Sequence, residues 1–328
     1  MNEPPLVSFV VLAYNQEQLV GEAVRAAFAQ TYTPLEIIIS DDCSTDGTLE
    51  VLRELAAGYR GPHQLRVRRS PVNRGLTGHL QDLVGEARGE LVVVAAGDDV
   101  SLPERAKALA ECWTGLGSPP AVLYSDFDPV DTDSRPSQLP REEVYPGPHT
   151  LERMARGMVG VLGATCAFTR SLVTDFPPVL DRVIHEDRVF PYRALLAGGC
   201  VAYVNRRLLR YRVVGGLSRH GAVGPEEYLR TRCARLAQRT LPDACQRLID
   251  TVALLPAERR LRHLCEATIA DAEAVLDFAD GYGLAHEAHL VKWTFKGARL
   301  KPLLKHYLKF RFLALFAAYY RLRFGSAA

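Results

Sequence analysis

At 328 residues, 48% of them hydrophobic, the chain can bury one large core, or a core with an appendage. Its 40 basic and 38 acidic residues leave a formal charge of +2, which gives no electrostatic case for a nucleic-acid partner. The seven cysteines are odd in number and never spaced C-x-x-C, which argues against a disulfide framework or a zinc site and predicts a reducing, cytoplasmic setting.

The opening MNEPPLVSFVV has no basic n-region, and its apolar run at 6–12 is too short for a signal or a membrane span. Up to residue 125, short β-branched runs alternate with amphipathic stretches, the pattern of a parallel sheet covered by helices. Strands are predicted at 7–12 (VSFVVL), 35–40 (LEIIIS), 65–69, 91–96 (LVVVAA) and 121–125, read as continuous apolar runs buried on both faces. Between them Leu19, Val20, Ala23, Val24, Ala27 and Phe28 recur at helical spacing, as do Leu49, Leu52 and Leu55, then Leu80, Leu83, Val84 and Ala87. From Asp126 the run DFDPVDTDSRPSQLPREEVYPGPH has no periodicity and predicts a long loop, with 131–149 as a flap over a ligand. Shorter elements follow: a strand in ATCAFTR, a helix at 187–197 stopped by Gly198-Gly199, and strands near Val201 and Leu208. Residues 1–222 are expected to form the α/β domain and 223–328 a helical appendage. Within the appendage, Lys301, Lys305 and Lys309 share one helix face and aromatics with leucines fill much of the rest. The segment 299–324 therefore reads either as an interfacial helix making peripheral membrane contact, or as a helix packed on the α/β domain or in a homodimer interface.

In an open parallel sheet, ligands bind beyond the carboxyl ends of the strands, so the residues after each strand carry the chemistry. AYNQEQ follows the first strand, SDDCSTDGT the second and GDDVSLPER the fourth, and HEDRVF opens a later helix. Ser44 and Asp46 suit helix capping. Capping leaves Asp41 and Asp42 unexplained, and a carboxylate there can accept the imide N–H of uracil or thymine. Asp98 and Asp99 admit two readings: a solvated turn before a helix begun by Pro103, or ligands of a hard cation, Mg2+ or Mn2+, whose shell diphosphate oxygens complete. Glu186 and Asp187, after His185, either meet a helix dipole or supply a general base beside an acceptor hydroxyl.

The ordered set VSFVVLAYNQ, PLEIIISDDCSTDGT, NRGLTGHL, ARGELVVVAAGDDVSLPER, HEDRVFPYRALLAGG and LLRYRV resembles the inverting glycosyltransferases of family 2, over residues 6–218. The resemblance implies the GT-A fold, a Rossmann-like, mostly parallel α/β sheet flanked by helices. It implies metal-dependent transfer of a sugar from a nucleotide-diphosphate donor, UDP preferred and dTDP second, to a hydroxyl of a glycan or lipid-linked acceptor, with inversion, in bacterial surface glycan assembly. It also implies that Tyr14 and Asp42 hold the base with Asp41 nearby, that Ala13, Asn15, Glu17 and Gly97 line the donor, and that Arg74 reaches the nucleotide. Asp98 would face ribose and sugar, Asp99 would ligate the metal with Asp98 beside it, and Asp187 would be the base with Glu186 adjoining.

The chain departs from the family pattern in three places. Ala96 stands where many relatives carry an acid, Leu80-Gln81 where an Arg-Asn pair is often seen, and Val214 where relatives often place a His, with His220 as the candidate substitute. Two rival functions are set against this one. A sugar-phosphate nucleotidyltransferase should carry a Gly-rich loop after its first strand, which AYNQEQ lacks, and a non-catalytic scaffold has no reason to keep Asp42, Asp98, Asp99 and Asp187.

Overall fold

The computed structural model describes residues 3–137, 147–158, 160–213 and 225–280, with 292, 293, 296, 298–301, 304 and 308 near the C-terminus. Two compact units divide the chain: Met1–Thr150 with Val159–Leu217, and Leu151–Met158 with Ser218–Ala328.

The first unit is built on four parallel strands in the order β3-β2-β1-β4, namely β1 (Val7–Ala13), β2 (Leu35–Asp41), β3 (Gln64–Arg69) and β4 (Leu91–Ala96). Because β2 and β3 extend to one side of β1 and β4 lies on the other, the crevice between β1 and β4 is the topological switch point where such sheets bind ligands. The register brings Ala13, Asp41 and Arg69 level at the carboxyl edge, with Leu12 opposite Ala96. The sheet continues through β5 (Val100–Ser101), β6 (Ala121–Val130), β7 (Cys166–Thr169) and β8 (Cys200–Arg212). Strand β7 runs antiparallel between β4 and β6, while β6 and β8 are parallel.

Alternation along β1 divides the packing between the two faces of the sheet. Val7, Phe9 and Val11 are fully buried with Val20, Val24 and Ala27 of α1 (Val20–Phe28), and Leu52 of α2 (Thr48–Gly58) joins the same cluster. Each such side chain contributes about 1.5–3 kcal/mol by leaving water. On the other face Ser8 donates to Glu36, which also accepts from the Arg88 amide, the Arg88 guanidinium and the Gly89 amide. Burial pushes the Glu36 carboxyl up, yet these donors outweigh it and hold the group below the ordinary range. An acid inside LEIIIS is thus a satisfied core carboxylate. Helix α3 (Gly75–Glu86) buries Leu80, Leu83 and Val84 outside the α1 cluster, whereas α4 (Arg105–Gly115) joins it through Ala106, Leu109 and Trp113. The latter begins two residues beyond Pro103, where the sequence predicted its start.

Two predicted boundaries move. The loop expected from Asp126 begins five residues later, because β6 continues past a register shift at Ser125/Asp126 and buries Phe127 and Val130 beside β8. The two strands expected near Val201 and Leu208 are one, β8. Residues 131–137 open with a turn in which Asp131 Oδ1 accepts the Asp133 and Arg135 amides, and 138–146 of the expected flap lie outside the described residues.

The second unit holds α5 (Leu151–Ala155), α8 (Pro225–Leu254) and α9 (Arg259–Asp280), whereas the short α6 (Ser171–Thr174) and α7 (Glu186–Leu196) belong to the first. Cys233 and Ala237 pack with Ala270, Ala274 and Phe278, the small residues letting α8 and α9 come close around the phenyl ring, and Thr268 ties α9 to the Ala155 carbonyl. Grouping 151–158 with this unit differs from the single boundary drawn at 222. No helix among the described residues is long and apolar enough to cross a membrane. Most of 299–324 lies outside the described residues.

Candidate active site

At the carboxyl edge the loops after β1 and β2 are stitched together. Asn15 sits at φ +50, a left-handed conformation that Asn tolerates better than most residues. Its amide donates to Ser44 Oγ at 2.9 Å and its Oδ1 accepts the Thr45 amide at 2.9 Å. Glu17 donates its amide to Asp46 Oδ2 at 3.2 Å and accepts the Gly47 amide on Oε2 at 3.1 Å. Asn15 and Glu17 thus shape the loop pair. Ser44 takes a loop amide instead of capping, while Asp46 Oδ1 does accept the Thr48 amide that opens α2. The Ala13 carbonyl is used by the Asp42 amide at 2.8 Å. Tyr14, 45% exposed, leaves its ring at the surface.

Asp41 and Asp42 are both buried. Asp41 Oδ2 accepts the Ser44 amide at 3.0 Å and lies 3.5 Å from Arg69 Nε, while both Asp42 oxygens accept the Arg74 amide, at 2.9 and 3.1 Å. The Arg74 guanidinium faces Asp82 at 3.4 Å and is 40% exposed. Asp42 therefore fixes the turn that presents Arg74, and its oxygens retain further acceptor capacity.

Behind this pair His79 Nε2 meets Ser40 Oγ at 2.6 Å. Burial holds His79 below its usual value of 6.5, with Asp42 opposing and Arg68 assisting. A folded-state pKa below the unfolded one gives stability that is complete above about pH 6.5 and is lost as pH falls below it. Melting temperature is therefore expected to drop between pH 7.5 and 5.5, and His79→Gln to flatten that segment. An unchanged slope in the variant would exclude His79 as its source.

The two acids of the pair differ in burial. Asp99, expected on the metal, is 2% exposed, and its Oδ1 accepts the Arg212 amide at 2.9 Å. Burial, then the adjacent Asp98 charge, push its carboxyl up to about 7 against Arg212 and Arg105. Asp98 is only partly buried, bonded by the Gln16 side chain, and raised chiefly by burial. Arg212 sits at the centre of this loop. Its side chain is 1% exposed, and Nε donates to the Asp98 carbonyl at 2.7 Å, Nη1 to the Asp131 and Thr132 carbonyls, and Nη2 to Glu22 Oε2 and Ser134 Oγ, each at 3.1 Å. All five guanidinium N–H groups are used, bracing the Asp98 backbone, while the amide of the same residue holds Asp99 Oδ1 in the interior and Asp98 is the less buried of the two acids. Gly97 lets the Gln16 side chain approach, since a Cβ would lie 2.3 Å from Gln16 Oε1 and displace it.

No group of three or more His, Cys, Asp or Glu among the described residues forms a closed metal cage. One or two hard carboxylate oxygens fit a Mg2+- or Mn2+-type ion that takes its other ligands from phosphate and water. Ala96 adds no donor. His220 and Val214 lie outside the described residues.

Asp187 is the second residue of α7, after the N-cap His185, and its Oδ2 accepts the Gly163 amide at 3.3 Å. Glu186 is 8% exposed. A Cβ on Gly163 would stand 2.5 Å from Glu186 Oε1 and 3.3 Å from Asp187 Cβ, so a side chain here would push on both acids. Sequence reasoning missed Gln16, Arg105, Gly163 and Arg212, although all but Gly163 stand inside the quoted motifs.

Residues 8–174 match the family described as glycosyl transferase family 2. Among curated relatives, the putative glycosyltransferase EpsE of Bacillus subtilis is 33% identical over 105 residues, covering 32% of this chain and 37% of that protein. The succinoglycan biosynthesis protein ExoO of Rhizobium meliloti is 34% identical over 140 residues, covering 41% of this chain and 38% of that protein. The matched stretches thus span less than two-fifths of these relatives' lengths. Among solved structures, S. aureus TarS 1-349 in complex with UDP-GlcNAc superposes with a TM-score of 0.54 at 19% identity, over 93% of this chain and 91% of that one. The mannosyltransferase PcManGT from Pyrobaculum calidifontis, in complex with GDP-Man and Mn2+, gives 0.54 at 20% identity, over 98% and 88%. The mixed sheet flanked by helices is the GT-A glycosyltransferase fold.

Proposed function

Since the chain belongs to glycosyl transferase family 2 and is a glycosyltransferase, we propose that it moves a sugar from a UDP-linked donor to a glycan or lipid-linked hydroxyl, with inversion and with a divalent metal ion. The observation that carries this reading is the carboxyl edge itself, where Asp98 stands partly open at the switch point and the Asp187 carboxylate is held at the head of α7. Tyr14 offers its exposed ring to the base, and Asp42 with the Arg74 turn offers an acceptor and a cation to the nucleotide. Asp98 would hold Mn2+ or Mg2+, with Asp99 fixing the loop behind it. When bound, such an ion neutralises charge developing on a departing diphosphate. Asp187 takes the acceptor hydroxyl's proton as that oxygen bonds to the anomeric carbon and the bond from that carbon to the diphosphate breaks. A succinoglycan biosynthesis protein among the relatives supports a role in surface polysaccharide assembly.

Calorimetry of UDP, dTDP and GDP with and without Mn2+, beside a turnover screen of UDP-GlcNAc, UDP-glucose and GDP-mannose, tests the reading. UDP is expected to bind in a Mn2+-dependent way, and Asp98→Asn to weaken that binding by about tenfold or more, Asp99→Asn by less. Absence of binding by all three nucleotides would sink the enzyme reading, and a larger loss in Asp99→Asn would restore Asp99 as the metal ligand.

A further inference from the structure

Arg105 is out of place by every local rule. It is the first residue of α4, where the helix dipole disfavours a cation, and it is completely buried, where an ion costs several kcal/mol before its contacts are counted. A methionine of similar volume would serve a packing role at least as well. What the guanidinium supplies is a junction. Nη1 donates to Ser101 Oγ at 2.8 Å; Nη2 donates to the Val94 carbonyl at 2.8 Å, the Ala164 carbonyl at 2.7 Å and, more weakly, the Cys166 carbonyl at 3.4 Å. Asp99 is the acid whose charge acts most strongly on it. Val94 lies on the strand that runs into Asp98-Asp99, and Ala164 lies in the 3-10 turn Gly163–Thr165 whose first amide holds Asp187 Oδ2. One rigid group therefore touches both the backbone leading to the donor-side acids and the turn that carries the acceptor-side base.

We propose that Arg105 is a positioning residue for transfer, setting the Asp187 carboxylate relative to the Asp98-Asp99 loop through the turn at 163–166. The proposal rests on the roles given above to Asp187 and the acidic pair. Displacement at a single carbon needs attacking and leaving oxygens in line, and a misplacement of about 1 Å costs about a hundredfold in rate. The planar fork of arginine fixes such a spacing, whereas lysine, a point charge on a flexible stem, keeps the cation near Asp99 without the fork.

The test compares rate with binding, using the nucleotide sugar that turns over fastest in the screen and, as binding probe, the nucleoside diphosphate it releases, with Mn2+. Arg105→Lys is expected to lower kcat by about 10- to 100-fold while the calorimetric Kd stays within about twofold. Gly163→Ala, at the far end of the same junction, is expected to give the same split, and the double variant to lose less than the product of the single losses. A purely structural role predicts something else, a lowered melting temperature with kcat near wild type in the folded fraction. That result, or equal losses in kcat and binding, or multiplicative losses in the double variant, would overturn the proposal. Should Arg105→Lys fail to fold, Ser101→Ala removes one partner of the fork and carries the same comparison, with a severalfold fall in kcat expected. A wild type that turns over no nucleotide sugar overturns the underlying reading, an outcome distinct from an active wild type with an indifferent Arg105.

Discussion

Asp187→Asn is expected to lower kcat by about 10²- to 10⁴-fold, the usual worth of a positioned general base, with UDP affinity in the presence of Mn2+ unchanged. Asparagine keeps the shape of the side chain and an oxygen for the Gly163 amide at 3.3 Å, so the turn and the head of α7 keep their contact. What it loses is basicity. The neighbouring Glu186 provides the internal control, because it shares the first turn of α7 and the same glycine contact yet is 8% exposed. Glu186→Gln is therefore expected to cost less than Asp187→Asn. Steady-state release of the nucleoside diphosphate, with calorimetry on the same samples, separates rate from binding. A greater loss in Glu186→Gln would move the base to Glu186, and a parallel loss of binding in Asp187→Asn would recast Asp187 as a donor ligand.

Strands β1, β2 and β4 were legible because they are buried on both faces, so their apolar runs stand out without knowledge of partners; β3, expected to be buried likewise, is a largely exposed edge strand whose Arg66 and Arg69 face solvent. The strand ends were legible for a related reason: polar residues directly after such runs have few structural explanations. What could not be read were contacts across long sequence separations. Asn15 and Glu17 look like donor ligands in AYNQEQ, and only their partners 29 or 30 residues away show them shaping a loop. The burial of Asp99 rests on a backbone amide 113 residues away. The extra length of β6 depends on pairing with β8, since DFDPV carries no clean alternation of its own. Arg105 was the exception, visible in principle as a cation at a predicted helix start, where the dipole argues against it.

Arg212→Met is expected to destabilise the first unit by about 3–5 kcal/mol, the range for breaking a buried charged network by removing one partner, and to weaken Mn2+-dependent UDP binding as well. The two effects share one cause. The guanidinium joins the Asp98 carbonyl, the turn at 131–134 and Glu22 of α1, and its loss leaves the Asp98, Asp131 and Thr132 carbonyls short of a donor. The Asp99 contact comes from the Arg212 backbone amide and survives the substitution, so Asp99 should remain inward while the Asp98 loop loosens. Glu22→Gln touches the same hub from its solvent side, where Glu22 is 51% exposed, and a pair of that kind is worth about 1 kcal/mol or less. Arg212→Lys restores the charge but supplies at most three donors for five acceptors, and should fall between the two in both readouts. Melting temperature and UDP calorimetry across the three variants should therefore rank Met, Lys and Glu22→Gln in the same order. Binding that follows a different order from stability would mean that Arg212 braces the fold without holding Asp98 toward the crevice.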